Sequence, residues 1–194
     1  YRESVAKIIS QCQTKNIPIL LVCLGSNLRD CPPVKSELPP TLSNTSRQKW
    51  LNLFDQATRH HDDPATALQF FQQCSAITDE HALLHYRMAR CFEQLEQIQA
   101  ARKHYLLAKD LDICPLRLTE QMDHIIRELA DRFDVPLIDG RGALERASAH
   151  QIPGYEMYID HVHPSIAGHQ LIATTIVNQL IKSKLVTHQY DLFT

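Results

Sequence analysis

Apolar residues at Val5, Ile8, Ile9 and Cys12 recur at helical spacing between polar ones, which predicts a helix over Ser4–Asn16. Ile17 to Leu24 is then a continuous apolar run rich in branched side chains. A run of that kind suits a strand buried on both faces of a parallel sheet. It ends at Gly25-Ser26-Asn27, a loop signal at a strand's C-terminal end, where open α/β sheets bind ligands. Cys31 to Asn44 holds four prolines and reads as irregular.

From about Thr45 to Asp112 the texture becomes helical and repeats with a period of 34 residues. A shift by that period sets Ala67 on Ala101, Phe71 on Tyr105, Cys74 on Ala108 and Ile77 on Leu111, small on small and large on large. The second copy adds Ala89 and Phe92 in its first helix. The first copy departs from it, with Asp55 where a small residue is expected. A plain helical hairpin with coincident spacing is the simpler alternative.

An α/β texture returns after the repeat. Leu118, Met122, Ile125, Ile126 and Leu129 share one face of a predicted helix over Leu116–Phe133. Val135–Asp139 reads as a short buried strand, Ala143–Ala149 as a short helix, and Gln170–Lys184 as the last helix. The order predicts an α/β fold with a doubly wound parallel sheet, interrupted by an all-α insertion. The expected divisions are 1–44 and 116–194 for the α/β part and 45–115 for the insertion. Two parallel strands need further neighbours, which are expected N-terminal to Tyr1 or from another chain.

Composition narrows the function classes. The net charge of −2 gives no basic stripe for nucleic acid. The longest apolar run is far too short to span a bilayer. Six cysteines, at 12, 23, 31, 74, 91 and 114, form no CxxC pair, so a structural zinc site is not expected. They read as free thiols of a reducing compartment, which favours the cytoplasm.

The residues with the clearest chemical pattern are Tyr158-Ile159-Asp160-His161-Val162-His163-Pro164-Ser165-Ile166-Ala167-Gly168-His169. A histidine three residues after an aspartate on a non-helical turn can meet its carboxylate. The carboxylate then takes the Nδ1 proton and fixes the tautomer, leaving Nε2 to accept a proton from a serine. A His-x-His pair also raises a metal site, but no third ligand is marked, and His161 and His169 are not assigned catalytic roles.

This stretch resembles the last block of the SGNH (GDSL-like) hydrolases, in which Asp-x-x-His-Pro supplies the acid and the base of a Ser–His–Asp triad. The span from Ile152-Pro153-Gly154 to Gly168, Asn27-Leu28-Arg29-Asp30 with Pro32-Pro33, and Asp110-Leu111-Asp112 with Pro115 and Arg117 resemble a subgroup interrupted by a tetratricopeptide (TPR) segment. The resemblance covers essentially the whole chain. It implies a flavodoxin-like SGNH sheet with a TPR-like insertion. It also implies Asp160 and His163 as catalytic pair, and Asn27 of Gly25-Ser26-Asn27 as oxyanion donor. Losing one such donor costs about 3–4 kcal/mol. No Gly-Asp-Ser-like nucleophile block occurs in these residues, so the serine is expected N-terminal to Tyr1, with Ser26 an open stand-in.

Arg29 could bind an anionic substrate group or brace the loop. Arg29 and Arg117 could equally form structural ion pairs with Asp30 or Asp112. The expected activity is ester hydrolysis or acyl transfer on a small acylated substrate, with no cofactor. The alternative is a protein-binding module, in which the repeat docks a partner and the α/β part is a scaffold.

Overall fold

The structure is a computed structural model, and it describes residues 1–183. The chain is mostly helical, with a small two-stranded parallel sheet. It divides into two compact units: Tyr1–Asn27 with the chain from Glu120 onwards, and Leu28–Thr119. The divisions between these compact units fall at 27/28 and 119/120.

In the first unit α1 (Arg2–Thr14) leads to β1 (Leu21–Cys23), and α6 (Glu120–Arg132) leads to β2 (Leu137–Asp139). The two helix–strand pairs end their helices in the same way. Asn16 and Asp134 adopt positive φ, and the next residue's N–H reaches back, Ile17 to Cys12 O and Val135 to Ala130 O, each at 2.9 Å. This is the left-handed C-terminal turn that short polar residues tolerate. The strands pair in parallel, with Leu21 opposite Leu137, Val22 opposite Ile138 and Cys23 opposite Asp139. Ile9, Leu129 and Val135 form the buried core, flanked by Val5, Ile19, Leu21 and Ile125. Both strands are shorter than the apolar runs that predicted them. Ile17 is exposed, and the described ladder extends only over the three paired positions.

α7 (Gly140–Ala147) starts directly at the end of β2, capped by the Asp139 carboxylate, which accepts the Gly142 N–H. α8 (Ile166–Lys182) starts four residues earlier than expected, because Ser165 caps it by accepting the Gly168 N–H at 3.2 Å. Lys184, the expected end of that helix, lies outside the described residues.

The second unit holds α2 (Asn44–Arg59), α3 (Pro64–Ile77), α4 (Ala82–Gln94) and α5 (Ile98–Asp110), each packed on the next. Ala67, Phe71 and Cys74 are buried in α3, as are Ala101, Tyr105 and Ala108 in α5, so the repeat's matched positions share one environment. The first helices match with a different offset. The turn His60–Asp63 is one residue longer than Leu95–Gln97. Trp50, Leu53 and Ala57 therefore correspond to His85, Met88 and Phe92, all buried, while Asp55 faces solvent and pairs with Arg59 at 2.7 Å.

The proline-rich segment belongs to this helical unit for a polar reason. Asp112 accepts the backbone N–H of Val34 at 2.8 Å and of Lys35 at 3.0 Å, and the Ile113 N–H bonds Lys35 O at 3.1 Å. Arg117 bonds Cys31 O at 3.0 Å, and Tyr86 donates to Arg29 O at 2.8 Å. All six cysteines are free, four of them buried. Among the described residues no helix is long and apolar enough to cross a membrane.

Candidate active site

The loop Gly154–Ser165 is built by its own hydrogen bonds before any catalytic geometry is considered. The N–H groups of Met157 and Tyr158 both reach Gly154 O at 3.1 Å. Tyr158 and Pro164 form an antiparallel bridge, and the Ile159 N–H bonds His163 O at 2.9 Å, closing residues 159–163 into a tight turn. Inside that turn, one Asp160 oxygen, Oδ1, accepts the N–H groups of Val162 at 2.9 Å and His163 at 2.8 Å. An aspartate whose side chain replaces a backbone acceptor in this way dictates the turn from the sequence itself.

The second oxygen is then aimed at the ring. Asp160 Oδ2 lies 2.7 Å from His163 Nδ1. A carboxylate only accepts, so Nδ1 carries the proton and Nε2 is the bare nitrogen. The two backbone N–H groups and the imidazole N–H together hold the Asp160 carboxyl down at about 2, so it is ionised throughout the neutral range. Both side chains are open to solvent, His163 at 70% and Asp160 at 47%. An exposed pair of this kind adds little stability. Its consequence is orientation, one fixed tautomer with a nitrogen free to take a proton.

Asn27, predicted from a position more than 130 residues away, is joined to this loop. Its backbone N–H donates to His161 O at 3.0 Å, between Asp160 and His163. The Asn27 side chain is fully buried, and Ser26 beside it is nearly so. Two contacts missed in the sequence fix the approach of these segments. Gly25 lies against Tyr158, where a Cβ would come 3.0 Å from the Tyr158 hydroxyl. Gly168 lets the first turn of α8 pass over the loop, where a Cβ would stand 2.3 Å from Met157 O. The signals were present as the tyrosine at position 158 and the glycine five residues after His163, but their partners were not.

At the C-terminal ends of both strands lies a polar network. Arg127 bridges Asp123 at 2.9 Å and Asp139 at 2.7 Å. Arg141 contacts Glu120 at 2.9 Å, Glu145 at 2.8 Å and Asp123 at 3.3 Å. The Cys23 thiol donates to Asp123. Burial and that bond push Cys23 up to about 12, so it is a neutral thiol at pH 7.

The remaining candidates fall elsewhere. Arg29 belongs to the helical unit and sits 3.7 Å from Asp30. Arg117 is 3.6 Å from Asp112 with both side chains buried, so each arginine has the structural partner offered as the alternative to substrate binding. His169 Nδ1 contacts Ser165 O at 3.0 Å. Among the described residues no three His, Cys, Asp or Glu side chains cluster as metal ligands.

In comparisons with protein-family profiles, curated proteins and solved structures, the chain matches none.

Proposed function

We propose that the protein is a serine-type ester hydrolase or acyl transferase of SGNH type, with His163 as general base and Asp160 as the acid that orients it. The observation that carries this is the 2.7 Å contact from His163 Nδ1 to an Asp160 carboxylate whose other oxygen is held by two backbone N–H groups. That arrangement serves one chemistry well. A serine hydroxyl attacks the acyl carbon and its proton passes to Nε2. Asp160 stabilises the resulting imidazolium, which then returns the proton to the departing alcohol. Water or an acceptor alcohol completes the cycle through the same nitrogen. Asn27 is the oxyanion donor in this scheme, supported by its backbone tie to His161. The serine comes from sequence N-terminal to Tyr1, as the resemblance implies, and the substrate is a small acylated molecule, with no cofactor.

In the same proposal the two strands belong to a larger doubly wound, flavodoxin-like sheet, and the helical unit is a TPR-like insertion. The shared burial of Ala67, Phe71 and Cys74 with Ala101, Tyr105 and Ala108 supports the second point. The free thiols favour a reducing, cytoplasmic compartment. The test is covalent labelling of the full-length protein with a fluorophosphonate, which reacts with base-activated serines. Labelling that is abolished in His163→Ala supports the assignment. Labelling that persists unchanged in that variant removes His163 from the mechanism.

A further inference from the structure

The helical unit contains an open cavity of about 530 Å3 that the proposed catalysis does not use. Its walls are the segment from Ser36 to Pro40, the face of α2 that carries Arg47, Trp50 and Leu51, and His81 at the start of α4. The volume lies in the ordinary range of small-molecule sites, about 300–1,000 Å3.

Three of its five polar side chains, Arg47, Trp50 and His81, offer donors. Trp50 is 1% exposed, and its Nε1–H has no acceptor among the described residues. A buried donor left in that state is destabilising until an acceptor reaches it. His81 caps α4 by accepting the Leu84 N–H at Nδ1, 3.2 Å away. A nitrogen that accepts is bare, so the neutral ring carries its proton on Nε2, and no acceptor meets that proton among the described residues. The Trp50 and His81 rings lie 4.7 Å apart, and both residues line the cavity. Arg47 adds a guanidinium that donates to Pro39 O at 2.9 Å and has no carboxylate partner among the described residues.

The two side-chain acceptors at the same cavity each have a partner in the chain. Ser36 Oγ takes the Leu83 N–H at 2.9 Å, and the Glu37 carboxylate is held by Lys35 at 2.7 Å. The rest of the lining is apolar, and Leu51 is 46% exposed there. A ligand complementary to this lining brings acceptors without donors, and an apolar group beside them.

We propose that this cavity binds a carboxylate carried on a small apolar body. A carboxylate has two oxygens that only accept, and its plane matches the arginine fork. The corresponding primary amide would bring two donors into a site that already has a surplus of them. A free apolar acid and the C-terminal carboxylate of a peptide offer the same chemistry.

Trp50 is the single tryptophan of the chain, so its indole N–H gives one resonance in a 1H–15N spectrum. Titration with N-acetyl-leucine is expected to move that resonance downfield, saturably. N-acetyl-leucinamide is expected to bind about tenfold more weakly, as is N-acetyl-leucine to Arg47→Gln, which can still donate to Pro39 O. A tetrapeptide ending in leucine that binds more tightly than N-acetyl-leucine assigns the site to peptide C-termini. Equal or weaker binding assigns it to free acids. The proposal is overturned if N-acetyl-leucine leaves the indole resonance unmoved, if acid and amide bind equally, or if Arg47→Gln binds as the parent does.

Discussion

Gly168 is the position where helix propensity and tertiary structure make opposite predictions. In an exposed helix, alanine in place of glycine gains up to about 1 kcal/mol. Here a Cβ would stand 2.3 Å from Met157 O and 3.0 Å from Pro164 Cβ, and the first of these is a backbone atom that no rotamer change can move aside. The start of α8 would have to withdraw by about 1 Å to restore ordinary contact distances of about 3.5 Å. That shift strains the Ser165 N–H bond to Met157 O, at 2.9 Å, and the Ser165 cap. Overpacking of this kind costs about 1–3 kcal/mol, and a weakened hydrogen bond about 0.5–1.5 more. Net of propensity, Gly168→Ala is expected to destabilise the protein by about 1–3 kcal/mol. The assay is urea unfolding followed by circular dichroism, read as a lower midpoint at unchanged slope. A midpoint equal to or above the parent's would refute the close passage of α8 over the loop 154–165.

The helical unit should be sensitive to acid. Burial holds His81 and His104 down at about 4 and lowers His85, while His85 Nδ1 lies 2.9 Å from His104 Nδ1, with Asp79 and Lys103 as the nearby charges. These rings titrate near 6.5 when unfolded, so the fold binds fewer protons; stability is full above about pH 6.5 and falls as pH drops towards 4. Allowing for water at its edge, His81 alone contributes about 1–2 kcal/mol of that loss. A urea midpoint unchanged between pH 7.5 and pH 5 would contradict it. Asp112→Ala removes the carboxylate partner of buried Arg117 and the acceptor of the Val34, Lys35 and Cys114 N–H groups, and is expected to cost about 3–5 kcal/mol by the same assay. Asp160→Asn keeps an Oδ1 that can accept the Val162 and His163 N–H groups and loses only an exposed ion contact, so it should change stability little, yet lower esterase turnover of the full-length protein by about 10⁴ through the wrong tautomer.

The features legible in the sequence were those that one residue type at one spacing can specify. Asp160 and His163 meet because a short carboxylate can close its own turn within three residues. The buried face of α3 and α5 was readable because Ala67, Phe71 and Cys74 recur in kind at Ala101, Tyr105 and Ala108. The division at Asn27/Leu28 was not readable, because bonds from Asp112 and Arg117 to backbone groups of residues 31–35 have no periodicity. Nor was the one-residue difference between the turns after α2 and α4, which moved Asp55 off the expected small-residue position. The tie from Asn27 to His161 is a backbone bond, so neither side chain could announce it. The donor-rich cavity was equally hidden, since it depends on which ring nitrogen of His81 caps α4.

Turnover of p-nitrophenyl acetate by the full-length protein, compared with its His163→Ala variant, tests the central claim most directly. Loss of about 10³-fold or more in kcat is expected if His163 is the base oriented by Asp160. Turnover that survives the substitution would contradict it.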